Sequence, residues 1–220
     1  MRPFSPLHFL LFAAAVILLL AFIQIGLLSI AFDKLGLSSH SAVLLLFSSL
    51  FGSAVNLPLF SVAADARDEQ PERPFRGLLL PPQRAFTGRT LIAVNVGGGL
   101  IPICFSLYLI AQNQLPLLTV LASVTLVALI SRVVSRPIAG LGIGMPIFVA
   151  PICAALIAVI VDSAHSAPLA YVCGTLGVLI GADLLRLKDI RRMGVPVASI
   201  GGAGTFDGIF ITGIVAVLLA

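Results

Sequence analysis

Leu115-Pro116-Leu117-Leu118-Thr119-Val120-Leu121-Ala122-Ser123-Val124-Thr125-Leu126-Val127-Ala128-Leu129-Ile130-Ser131 runs without a single charge, and Arg132 and Arg136 follow it. A helix rising about 1.5 Å per residue needs about 20 mostly apolar residues to cross a bilayer. A run of this kind, closed by basic residues, reads as a membrane span. Six more segments read the same way, at roughly 9–31, 41–63, 90–111, 140–161, 167–187 and 198–219. The expected fold is therefore all-α: one polytopic bundle of seven transmembrane helices over residues 1–220, with residues 64–89 as a linker inside it. The first segment reads as a span rather than a signal peptide. Its apolar run from Phe9 to Phe32 exceeds the roughly 7–15 residues of a signal core, and no A-x-A cleavage site follows.

Composition excludes a soluble domain. Of 220 residues, 59% are hydrophobic and only 10% are charged, against about 25% charged in soluble domains. Mean hydropathy is +1.15. With the N-terminus inside and the C-terminus outside, twelve of the thirteen Lys and Arg residues fall on the inner side, leaving only Lys34 outside. That asymmetry satisfies the positive-inside rule and places the chain in the plasma (inner) membrane as a multi-pass protein. The net charge of +4 then reports topology and contact with membrane lipid, not nucleic-acid binding. There is no Trp, and Tyr108 and Tyr171 are expected toward the outer interface. Cys104, Cys153 and Cys173 have no metal-ligand spacing, so neither a metal nor another cofactor is expected.

The linker of residues 64–89 mixes both charge signs with prolines and is expected to be solvated. A weak internal echo links the third and fifth spans. Ile101-Pro102-Ile103-Cys104 returns as Ala150-Pro151-Ile152-Cys153, with glycines ahead of each, a feature of transporters built from broken helices.

Asp183 and Asp207 are the two carboxyls inside apolar segments. An ionisable group there costs about 2.5–3.5 kcal/mol on insertion scales, which marks it as a functional candidate. Counting residues from the inner ends of the spans puts Asn56, Asn95, Pro146, Asp183 and Asp207 at one level near the cytoplasmic face. Polar groups in lipid should turn toward one another, so a single inner polar pocket is expected. Gly97, Gly98 and Gly99 follow Asn95, and Gly201, Gly202, Gly204, Thr205 and Gly208 surround Asp207. Such glycines weaken regular helix and permit close backbone approach.

Two carboxyls sharing one site hold one proton between them. The ionised one can activate water while its protonated partner polarises a peptide carbonyl. No alternative hydrolytic set is present: the sequence has no HExxH and no GxSxG, and His8, His40 and His165 lie at span ends or in linkers.

Gly204-Thr205-Phe206-Asp207-Gly208-Ile209-Phe210-Ile211 resembles the G-x-G-D signature of intramembrane aspartyl proteases, the presenilin, signal peptide peptidase and prepilin peptidase group. The resemblance implies catalytic roles for Asp183, on an inward-running sixth span, and Asp207, on an outward-running seventh. It implies a membrane-protein or peptide substrate. Phe206 stands at the signature's second glycine, and Ala182 where the presenilin branch has Tyr. The chain as a whole resembles a family of uncharacterised bacterial and archaeal integral membrane proteins, with Asn95-Val96-Gly97-Gly98-Gly99 and the segment from Gly204 to Gly213 as hallmarks.

Three functions compete on this reading. The first is an intramembrane aspartyl hydrolase. The second is a proton- or cation-coupled small-molecule transporter with Asp207 as the ion site. The third is a non-catalytic membrane subunit or assembly factor, in which the polar residues lock the bundle.

Overall fold

The computed structural model describes residues 16–17, 26–63, 88–138, 142–190, 196–202 and 208–220. The linker of residues 64–89 therefore lies outside the described residues except for Gly88 and Arg89.

Helices dominate the described residues. They are α1 (Leu27–Lys34), α2 (Ser39–Gly52), α3 (Ile101–Gln112), α4 (Leu117–Val134), α5 (Val149–Val161), α6 (Ser166–Val178), α7 (Leu187–Ile190) and α8 (Gly208–Leu219). Among the described residues, two helical stretches are long and apolar enough to cross a membrane: α4, and Ser166–Ile190, which runs from α6 through α7. α1 and α2 form a third stretch of this kind if counted as one span, bent by 110° between them. Ser38 stops the bend, its hydroxyl capping the Ser41 amide at 3.2 Å.

α6 is the central post, buried along most of its length. Apolar burial drives little helix association in lipid, so close packing of small residues carries it. Gly174 sits 3.3 Å, measured from an ideal Cβ, from the Ala154 methyl of α5. Farther along, a Cβ on Gly181 would stand 2.2 Å from the Ala128 carbonyl oxygen of α4, so the two backbones touch there. α4 and α6 run parallel, pairing Val127 with Gly177 and Arg132 with Arg186 near the same end.

The all-α expectation is corrected by a sheet. β1 (Asn56–Ala63), β2 (Arg89–Asn95) and β5 (Val197–Ile200) form a three-stranded sheet in the order β1-β2-β5. β1 is antiparallel to β2, with Asn56 opposite Asn95, and β5 is parallel to β2, with Leu91 opposite Val197. β3 (Arg136–Ile138) and β4 (Gly142–Gly144) make a small hairpin before α5. The second, third, fifth and seventh expected spans thus each begin or end as strand. Short apolar runs do not distinguish strand from helix by periodicity. β2 reads Thr-Leu-Ile-Ala-Val, a β-favouring run. β1 carries Pro58, which cannot donate to a ladder, beside a register shift between Pro58 and Phe60, as befits an edge strand.

The sheet also places Asn56 and Asn95 on strands, where helices were expected. β1 is exposed along nearly all its length, and an open sheet edge is not tolerated in hydrocarbon. These two residues therefore stand at the junction between sheet and helices, not within a continuous membrane helix. Tyr171 is the other correction. It is wholly buried, its ring edge-on to Phe105 at 4.9 Å, whereas Tyr108 is exposed.

Candidate functional site

The parallel strands β2 and β5 both lead, through glycines, toward helices packed on α6. After β2, Asn95 opens a π-helical turn, Val96–Leu100, before α3. The Asn95 side chain, 1% exposed, bonds three ways. Its amide donates to the Ser53 carbonyl at 2.7 Å and to Asn56 Oδ1 at 3.2 Å, and its Oδ1 accepts from the Gly98 amide at 2.8 Å. Ser199 of β5 donates to the same Asn56 oxygen at 2.5 Å. Asn56, Asn95 and Ser199 thereby pin the three strands together at one end.

The glycines make this junction fit. A Cβ on Gly97 would lie 1.9 Å from the Ser49 carbonyl oxygen and 2.3 Å from the Ser53 amide nitrogen, both of them backbone. Ser49 completes the contact by donating to the Gly97 carbonyl at 2.7 Å. Gly201, with φ +83°, rests against the backbone of Gly98 and Gly99, where a Cβ would come within 2.6 Å of the Gly99 nitrogen. The left-handed conformation and the close approach both require glycine at that position.

Asp183 enters from α6. The helix widens into a second π turn, Leu179–Asp183, then tightens into a 3₁₀ turn, Leu184–Arg186. Single π turns inside helices occur often at functional sites. Asp183 Oδ2 accepts the Gly201 amide at 2.7 Å. This bond joins the end of β5 to the broken end of α6.

Beyond Asp183, Arg186 is taken up by other partners. Its Nε donates to Ser135 Oγ at 2.8 Å, one Nη to Asp189 at 3.0 Å, and the other to the Arg132 carbonyl at 2.7 Å and the Ser135 carbonyl. It thereby caps the carboxyl end of α4.

The structure thus brings together Asn56, Asn95, Gly97, Gly98, Gly99, Gly201 and Asp183. Gly202, with φ +95°, follows directly, and Gly208 opens α8. Pro146 does not join them: it is exposed in the turn before α5, its carbonyl accepting from the Val149 amide. Gly204, Thr205 and Asp207 lie outside the described residues. Ser49, Ser53 and Ser199 were missed by sequence reasoning, since serine is common in apolar helices and strands. Among the described residues no group of His, Cys, Asp and Glu is placed to hold a metal ion.

The fold and site define a helical protein with membrane-spanning candidates and a polar, glycine-built junction beneath a small sheet. The chain belongs to the DUF1614 family, proteins of unknown function, which it matches over residues 50–219. No curated protein and no solved structure matches it. The family region takes in most of the junction, from Gly52 and Asn56 through α8, with Ser49 just before it.

Proposed function

We propose that the chain is a seven-span membrane protein of the inner membrane and an aspartyl hydrolase acting on peptide bonds near the cytoplasmic face. The observation that carries this reading is the Asp183–Gly201 hydrogen bond. It ties one intramembrane carboxyl to the segment that leads, six residues on, to the other, Asp207. The exposed β1 and the basic residues near the same end support an inward-facing junction.

Asp183 and Asp207 would act as a pair holding one proton. The ionised carboxylate takes a proton from water as the water oxygen bonds to the peptide carbonyl carbon. The protonated carboxyl donates to the carbonyl oxygen. Collapse of the tetrahedral species breaks the C–N bond, and the proton passes to the leaving amine. The test is cleavage of fluorescent transmembrane peptides by the protein in liposomes. Wild-type turnover with a bell-shaped pH profile, lost in both Asp183→Asn and Asp207→Asn, supports the reading. Turnover surviving in either variant contradicts it.

One observation favours a second reading, an ion-coupled carrier. Two strand–glycine–helix units, β2 to α3 and β5 to α8, meet at Gly98, Gly99 and Gly201, an arrangement akin to the broken helices of transporters. Uptake into proteoliposomes that depends on a proton or sodium gradient, without peptide cleavage, would establish it.

A further inference from the structure

The two unbent stretches long enough to cross a membrane among the described residues end at one place: α4 at Val134 and the α6–α7 stretch at Ile190. Their ends are fastened by one acid shared between two bases. Asp189 Oδ2 accepts from Arg186 at 3.0 Å and from Arg132 at 3.3 Å. The two bases differ in what they leave for others. Arg186 is 14% exposed and spends its donors on Ser135, Arg132 and Asp189, whereas the Arg132 side chain is 37% exposed and, among the described residues, donates to Asp189 alone. Arg136, directly after Ser135, and Lys188, two residues after Arg186, are exposed. Two cations thus bind Asp189, and Arg136 and Lys188 stand beside them in sequence.

The apolar surroundings are equally specific. Leu184, Leu185, Val133 and Ile138, close to these cations in sequence, are exposed. A soluble binding partner does not require that alternation, but the boundary between acyl chains and headgroups does. Long basic side chains reach from such a boundary to phosphate while their neighbours stay in hydrocarbon.

We infer that Arg132, Arg136 and Lys188 form a docking site for the headgroup of an anionic phospholipid, with Leu184 and Leu185 against its acyl chains. Charge complementarity selects the occupant: the cluster carries a net positive charge after Asp189 is counted, and the leucines select a lipid over a free anion. The site does not depend on the hydrolase reading, because lipid binding is measured without turnover.

The test is native mass spectrometry of the detergent-purified protein titrated with phosphatidylglycerol or phosphatidylcholine. The expected result is preferential binding of phosphatidylglycerol that weakens about 30-fold in the Arg136→Gln, Lys188→Gln double variant, at about fivefold per cation. Neither side chain makes a hydrogen bond or ion pair among the described residues, and unchanged helicity by circular dichroism verifies that the variant is folded. Lys34→Gln, which alters the cation bonded to Val217 at the opposite end, is expected to leave the affinity unchanged. Three results would overturn the proposal: affinity within twofold in the double variant, an equal loss in Lys34→Gln, or complete displacement of the lipid by millimolar inorganic phosphate.

Discussion

The backbone amide of Gly201 donates to Oδ2 of Asp183 at 2.7 Å, across 18 residues of sequence. This bond separates structural from chemical roles of the carboxyl. Asp183→Ala leaves a buried amide without its acceptor and should destabilise the protein by about 1–3 kcal/mol. Asp183→Asn keeps an oxygen for the amide and should cost about 1 kcal/mol or less, while the proposed hydrolase role predicts that it abolishes cleavage as fully as alanine does. Thermal unfolding in detergent and peptide cleavage, measured on the same preparations, check both halves.

Gly97 faces backbone on two sides, and its neighbours have no flexible end to move aside. Gly97→Ala should cost about 3 kcal/mol or more. At Gly99 the nearest atoms would be 3.3 Å from a Cβ, and Gly99→Ala should cost about 1 kcal/mol. The ranking is read from folded yield and melting temperature, and equal effects at the two positions would contradict the close crossing at Gly97.

Asn95 donates to Ser53 and Asn56 while accepting from Gly98. Asn95→Asp keeps the acceptor but turns both donors into an oxygen facing oxygens. A loss of about 3 kcal/mol is expected, larger than for Asn56→Asp, since Asn56 is exposed and mainly accepts. Denaturant or thermal unfolding of the two variants, side by side, measures the difference.

Arg186 meets three acceptors in a plane at the end of α4, a geometry a lysine ammonium does not reproduce. Arg186→Lys should therefore destabilise nearly as much as Arg186→Gln, by about 1–3 kcal/mol. Full rescue by lysine would show that charge alone matters there.

Much of this architecture was legible in the sequence. The charge-free run from Leu117 to Ser131 is helical where expected. Asn95 and the glycines after it stood out because polar and glycine residues are rare in apolar segments. The sheet did not stand out. The run from Thr90 to Val94 is as apolar as a helix of equal length, and its partners lie far away in sequence, Val62 at one side and Val197 at the other. Hydropathy carries no information about such pairings. Tyr171 was misplaced for a related reason: a tyrosine near a span end fits an interfacial belt, and only packing against Phe105 reveals it as core.

Cross-linking of cysteines introduced together at Asp183 and Asp207, in a background where Cys104, Cys153 and Cys173 are replaced, tests most directly whether the two carboxyls share one site. A shared site predicts rapid disulfide formation or capture by a short bifunctional reagent in native membranes, blocked when either position keeps its aspartate. Two cysteines that each react with a thiol reagent yet never cross-link would contradict it.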